Sequence, residues 1–534
     1  MVGRVFGSLL FTCVFALTFA MPAGASPMAM PPHYSFVHHP VSTTSTSAQA
    51  SFDEGLTLLY SFNRLAARNA FMRAASADPN LAMAYWGIAE SYGPNVNVPI
   101  DEAGEKAASD AIAHAKSLLG NASEEEAAYI SALSVRYTTA PHPNYNALAR
   151  AYERAMSDLS HKYPDDLDAA TLFAESEMDL HAWAWFSTSG QPAEGTNEII
   201  ATLESVLARD PMHIGANHYY IHATEESKNP ERALLSAQRL GTFTFEPAAA
   251  HLVHMPAHTF MRTGYYDQAS AVNVRATEHD RMYLATEMDP EASGYYDHNL
   301  FFLASADQME GNFAGARAAA AQADGKDVGT ITLFALCRFA RWHDILNLPV
   351  PRSSPPPYDP LRPAIWQFAR GMAYAGTGDG AAAQKELQLL GDLNRSMSIP
   401  TVTGFNNSSR QILGLAVDVL GAKIDRGAGR YTDAAALLVR AVRIQDGLIY
   451  VEPPDWYFPV RESLGAALLK AGDAKGAERT FREDLARNPR NPRSLFGLQK
   501  ALEAEGDTTD AAWAQAEFET AWRNADTQLS IDDL

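Results

Sequence analysis

Near the C-terminus the chain places Gly465, Leu468, Ala477, Phe481 and Pro489 at intervals that recur near the N-terminus as Gly55, Leu58, Ala67, Phe71 and Pro79. With each proline set as position 32 of a unit of about 34 residues, small residues fall at positions 8 and 20 and large ones at 11 and 24. The spacing has a packing logic. Small residues let the two helices of a unit approach closely, large ones fill the groove to the next unit, and the proline stops the second helix. One such unit cannot bury its own apolar face, so units must stack. The 534 residues are also too many for one compact core.

Between these two ends, alanine-rich segments of helical periodicity alternate with breakers, and strand alternation is scarce. Tyr163-Pro164 and Asp210-Pro211 end units; Gly264-Tyr265-Tyr266, Gly311-Asn312-Phe313 and Gly378-Asp379 read as turns between paired helices. The expected fold is all-α: a TPR-type (tetratricopeptide) α-solenoid, a right-handed superhelix of helix pairs. One array is expected over residues 51–348 and a second over 364–534, joined by a proline-rich linker at 349–363. Residues 26–50, rich in Pro, Ser and Thr, read as an extended lead-in whose His33, His38 and His39 belong to a solvated tail. The last stretch, 507–534, reads as one more helix with a frayed acidic end.

The first 25 residues read as a signal peptide. Arg4 is followed by an apolar run over 5–20, too short for a membrane span, and then by Ala23-Gly24-Ala25. No later stretch looks transmembrane, so the expected location is periplasmic or secreted. After cleavage only Cys337 would remain, which permits no internal disulfide and reads as a buried apolar residue. A net charge of −21 argues against nucleic acid or an anionic membrane as partner.

Six of the 16 histidines crowd into three short windows: His218 and His222; His251, His254 and His258; and His298. In a solenoid of this kind, positions 2, 5 and 9 of the first helix share its inner face. Counting from Pro211, a unit starts at Ile214 and puts His218 at 5 and His222 at 9. Counting back from Ala269, the next starts at Ala250, with His251, His254 and His258 at 2, 5 and 9. Taking Gly311 as a turn starts another at Asp297, with His298 at 2. Pro256 must interrupt the middle helix near Met255. The same arithmetic puts Trp86 at 5, Glu90 at 9, Glu175 at 9 and Asp179 at 13 of earlier units.

Histidines at i and i+4 on one helix can bind one metal, and imidazole suits zinc, copper or iron. The expected metal ligands are His218, His222, His251, His254, His258 and His298, enough for one ion or two, with Glu175 and Glu225 as catalytic base or supporting carboxylates. No His-Glu-x-x-His sequence is present, so a zincin mechanism has no local support. The function this implies is a transition-metal protein, or a metalloenzyme acting on a small molecule or peptide in the concave groove. The alternative is a scaffold that binds a protein or peptide partner without catalysis. Glu452-Pro453-Pro454-Asp455-Trp456-Tyr457 reads as a rigid loop and a candidate lid.

Taken together, these stretches resemble a family of exported bacterial tetratricopeptide repeat proteins. The likeness rests on Phe52-Asp53-Glu54-Gly55-Leu56, Gly93-Pro94-Asn95-Val96-Asn97, the segment from His218 to Glu225, His251-Leu252-Val253-His254-Met255-Pro256-Ala257-His258, Tyr296-Asp297-His298-Asn299 and the Glu452 loop. It covers most of the chain, and its histidine motif is the most specific part. It implies a fold and not a chemistry. The chain departs from it at Arg64, where the resemblance leads one to expect histidine after Phe62-Asn63; a ligand at that position would be replaced.

Overall fold

The computed structural model describes residues 36–325, 328–351, 361–396 and 407–534. The expected signal peptide lies outside the described residues, as does most of the proline-rich linker. Among the described residues the chain is a succession of α-helices from Thr46–Leu59 to Thr508–Ala521, with short 3-10 turns and no strand. Most helices pack on their neighbours in sequence: Thr46–Leu59 on Arg64–Ala77, that on Ala82–Glu90, and on to Pro492–Glu505 and Thr508–Ala521. This is the TPR-type α-solenoid.

The repeat arithmetic is visible as contact. A methyl group on Gly55 would lie 2.6 Å from the Phe71 ring, and one on Gly465 would lie 2.5 Å from the Phe481 ring. At both ends of the chain, position 8 therefore has to be small because position 24 lies directly on it. Helix starts follow local signals. Ser45 caps Thr46–Leu59, Asn63 caps Arg64–Ala77 and Asp166 caps Leu167–Met178, each by accepting a backbone N–H. Gly264 and Gly311 end their helices at φ 79° and 87°, in the left-handed region that favours glycine.

Three readings are corrected. The unit expected to begin at Asp297 begins earlier, in the helix Pro290–Glu310, because Asp289 caps it and Pro290 sits at its first position. The stretch before Thr46 is not solvated throughout. Phe36 packs edge-on against Phe243 and Phe245, and His39 is buried. The C-terminal end is not frayed: Arg426 bonds the Ile531 carbonyl at 3.1 Å, and Arg493 bonds that of Asp533 at 2.6 Å. Cys337 is buried and free, as expected.

One large apolar cluster runs from Ala48 to Ala306 and another from Leu333 to Ala467. The chain curls so that its later part meets its middle. Tyr266 donates to the Pro489 carbonyl at 3.1 Å, Arg490 lies 3.8 Å over the Tyr265 ring, and the Asp526 N–H bonds the Gly311 carbonyl. Buried Arg338 and Glu462 pair at 2.9 Å. The inner face of the central helices is consequently covered rather than open.

Candidate metal centre

The helix Ile214–Glu225 has no exposed residue; all twelve are buried. His218 and His222 point from it toward the next unit, where Pro256 splits the first helix into Ala250–His254 and Pro256–Thr263 with Met255 between. The break does not scatter the histidines. His218, His222 and His251 form one group and His254, His258 and His298 another, the ligand atoms of each lying within 4.8 Å of one another. The groups abut, with His222 and His258 ring centroids 5.3 Å apart. His218, His222, His251, His254 and His258 are buried, and His298 is half-buried.

The protons can be placed from the partners, since carbonyls and carboxylates only accept. His218 Nδ1 meets the Tyr60 carbonyl at 2.7 Å, and His254 Nδ1 meets Asn273 Oδ1 at 2.6 Å. Asn273 is held in that orientation by its amide, which donates to the Ala269 carbonyl. His222 Nδ1 and His258 Nδ1 each meet one oxygen of Glu225 at 2.7 Å, and His258 Nδ1 also lies 2.6 Å from Glu452. Nδ1 therefore carries a proton in all four rings, which leaves the Nε2 lone pairs of His218, His222 and His254 for the interior. This is how a metal-ligating histidine is held by an outer partner.

The Nε2 atoms then face one another. His251 and His218 are 3.1 Å apart, His298 and His254 3.2 Å, and His254 and His258 2.6 Å. Two nitrogens bound to one ion at about 2.0–2.1 Å stand about 2.9–3.4 Å apart, so the first two separations already match a shared ion and the third must open slightly. The single lone pair of His254 is approached by two neighbours, and His222 Nε2, buried, has no hydrogen-bond partner at all.

Burial, helped by neighbouring rings, holds His218, His251 and His254 well below the usual histidine range, His222 at about 3 and His298 at about 4. These rings are neutral at pH 7. His258 is the exception: burial pulls it down, but Glu452 and Glu225 outweigh that and hold it at about 10. Burial, reinforced by Glu225, raises Glu452 to about 7.

Aromatic rings wall the centre. Phe62 lies 4.5 Å from His218, Tyr295 4.7 Å from His251, Phe302 4.8 Å from His258 and Trp183 5.4 Å from His222. Phe62 and Trp183 have φ of 55° and 58°, a strained conformation for a bulky residue that persists only where surrounding packing imposes it. Asn97, from the Gly93 turn, accepts from Trp183 and donates to Tyr295, tying that turn to the wall.

All six predicted histidines and Glu225 are brought together. Glu175 is not among them. It lies in a neighbouring cluster with Glu90 and Asp179 around Arg136, where burial and then the Asp179 charge raise its pKa well above the carboxylate range. Arg64 bonds Glu291 and the Gly93 carbonyl and does not enter either histidine group. Sequence reasoning missed the acceptor roles of the Tyr60 carbonyl, Asn273 and Glu452. The loop carrying Glu452 had been singled out, but nothing local tied it to His258.

No protein-family model matches the chain, and no curated protein does. Among solved structures, the human IFIT1 dimer with m7Gppp-AAAA is 10% identical, covering 90% of this chain and 91% of that one at a TM-score of 0.31. The APC/C hetero-tetramer Cut9-Hcn1 is 13% identical, covering 90% and 74% at a TM-score of 0.28. Likeness at this level says nothing of ligand or activity.

Proposed function

We propose that the protein is a transition-metal protein holding two ions side by side, one on His218, His222 and His251 and one on His254, His258 and His298. The observation that carries this is the convergence of the Nε2 lone pairs of His218, His222 and His254, whose Nδ1 protons are pinned outward by Tyr60, Glu225 and Asn273, with His258 joining them once its Nε2 proton is released. Three imidazoles per ion, with His258 giving up its proton to the metal, suit copper, zinc or iron and disfavour magnesium, calcium and manganese. Three protein ligands leave a coordination position open, the arrangement of a catalytic rather than a structural site. Glu225 spans the two groups, one oxygen on each, and keeps both ligand sets in register.

The first 25 residues support export, so loading would take place in a periplasm or outside the cell. A scaffold that used the histidines to hold a peptide would need exposed rings, and five of the six are buried. The test is elemental analysis of protein purified without a histidine tag, beside a His218→Ala/His254→Ala variant. Near-stoichiometric copper, zinc or iron, lost in the variant, is the expected result. No metal after reconstitution with each candidate would refute the proposal.

A further inference from the structure

A space of about 1010 Å3 opens between the central units and the later helices that fold back over them. Arg262, Asp446, Tyr450 and Arg487 border both this space and a chamber of about 270 Å3 that reaches His258 and Phe302. The outer space is a vestibule to the candidate metal centre.

Four cations line the vestibule: Lys228 and Arg262 from the central units, Arg487 and Arg490 from the later ones. In a chain of net charge −21 this gathering runs against composition. Their charges are poorly met. Half-buried Arg262 donates to the Glu225 carbonyl at 2.9 Å and to the Ser227 carbonyl at 3.4 Å, and among the described residues no carboxylate pairs with it. The Glu225 carboxylate is turned away, onto His222 and His258. Arg490 bonds the Tyr265 hydroxyl at 2.9 Å and the Thr263 carbonyl at 3.4 Å, both neutral acceptors. Lys228 is exposed, with its stem against Gly190. Arg487 lies 3.4 Å from Asp446, an acid that Arg461 holds through two bonds of 2.7 Å.

Two other acids line the space. Glu226 accepts the Phe186 N–H at 3.1 Å, and burial, reinforced by Glu225 and Glu452, raises it to about 7. Glu231 is exposed and offsets at most one of the four cations. The surplus is therefore positive. Guanidinium groups occupied only by neutral acceptors keep their charge for a carboxylate, whose geometry their planar fork matches. The space is far larger than one carboxylate, so a single anionic group cannot meet cations on both walls.

We propose that the vestibule binds a small organic dianion of the dicarboxylate kind, one carboxylate met from each wall. A carboxylate seated on Arg262 stands where the vestibule opens into the chamber, and so at the entrance to His258. What the molecule is delivered to rests on the metal-centre reading; its binding does not.

The experiment is calorimetry of the full, metal-free protein with four probes that share a six-carbon chain: adipate, hexanoate, 1,6-hexanediol and 1,6-diaminohexane. Adipate binds, hexanoate binds at least about tenfold more weakly, and the diol and the diamine do not bind. Adipate binding weakens as ionic strength rises from about 0.01 to about 0.15 M. Lys228→Gln/Arg487→Gln, one exposed cation from each wall, weakens adipate at least about tenfold, and Arg262→Gln does the same. Arg209→Gln/Arg395→Gln makes the same change of net charge at exposed positions elsewhere and leaves adipate binding as it was. His218→Ala/His254→Ala also leaves it intact. Absence of adipate binding, equal binding of the diol or the diamine, indifference to both vestibule variants, or an equal loss in the Arg209/Arg395 control overturns the proposal. Adipate binding by a protein that takes up no metal supports the vestibule and removes only the reading of the histidines.

Discussion

Two places in this molecule bury histidines among carboxylates, and they end in opposite states. Around Asp168, His39 Nδ1 lies 2.9 Å from one oxygen, while His213 Nε2 at 3.2 Å and the Tyr60 hydroxyl at 2.6 Å share the other. His213 Nδ1 in turn accepts the Ala216 N–H and caps the next helix. Every contact there pairs a donor with an acceptor. At the candidate metal centre the carboxylates also take N–H donors, but the opposite ring nitrogens meet each other. The Asp168 cluster completes its hydrogen bonds internally, whereas the six-histidine cluster leaves His222 Nε2 and His251 Nδ1 buried without a partner. Tyr60 joins the two, its hydroxyl on Asp168 and its carbonyl on His218.

The largest contrast is expected in thermal stability with and without metal. Saturating copper or zinc at about a thousand times Kd stabilises the wild type by about 4 kcal/mol and does not stabilise His218→Ala/His254→Ala. Asp168→Ala costs about 3–5 kcal/mol by leaving His39 without its counter-charge and the His213 N–H without its acceptor, yet it retains the metal response. Differential scanning calorimetry of the three proteins checks both. An Asp168→Ala protein that folds but ignores metal would erase the distinction.

Glu225→Gln sharpens it. The amide keeps the shape but cannot accept from both rings equally, so metal affinity falls about 10–100-fold while the unliganded fold survives. Competition with a chelator of known affinity measures the change. Next in size is a pH effect confined to the Asp168 network. Burial pulls His39 down, but its bond to Asp168 and the charges of Asp168, Asp166 and Glu125 outweigh that and hold it at about 8, above the usual 6.5. A raised pKa contributes stability that is full below pH 6.5 and lost as pH rises through about 8, here about 2 kcal/mol. Hydrogen-exchange protection factors at residues 36–45, corrected for intrinsic rate, should fall across that window; unchanged protection would deny His39 its role. Tyr60→Phe should have the smallest effect. It removes only the bond to Asp168 and costs about 1 kcal/mol in urea denaturation, with metal content unchanged because the Tyr60 carbonyl stays.

Much of the fold was legible because the repeat is a local code: Gly55 against Phe71 and Gly465 against Phe481 are fixed spacings. The histidines were legible for the same reason. His218 and His222 stand where a helix beginning at Ile214 puts them, and Pro256 broke its helix at Met255 as its ring requires. His298 reached the centre although its helix starts at Pro290, since a helical face depends on period and not on where the helix begins. Glu175 shares its stripe with Asp179, but that stripe faces Arg136. Period alone does not say which neighbour a face meets. What spacing could not reach were partners far along the chain. Asp168 is 129 residues from His39, which reads as a tail residue without it. Glu452 reaches His258 only because the later helices fold back over the middle of the solenoid.

The most direct measurement is an anaerobic titration with Cu(I), followed by the free-metal signal of a competing chromophoric chelator. The wild type should take up two equivalents before free copper rises. His218→Ala and His258→Ala, each breaking one three-histidine group, should each take up one. Uptake of no metal, or a wild-type stoichiometry that neither variant changes, would contradict the two-ion centre and leave the six rings as a buried polar cluster.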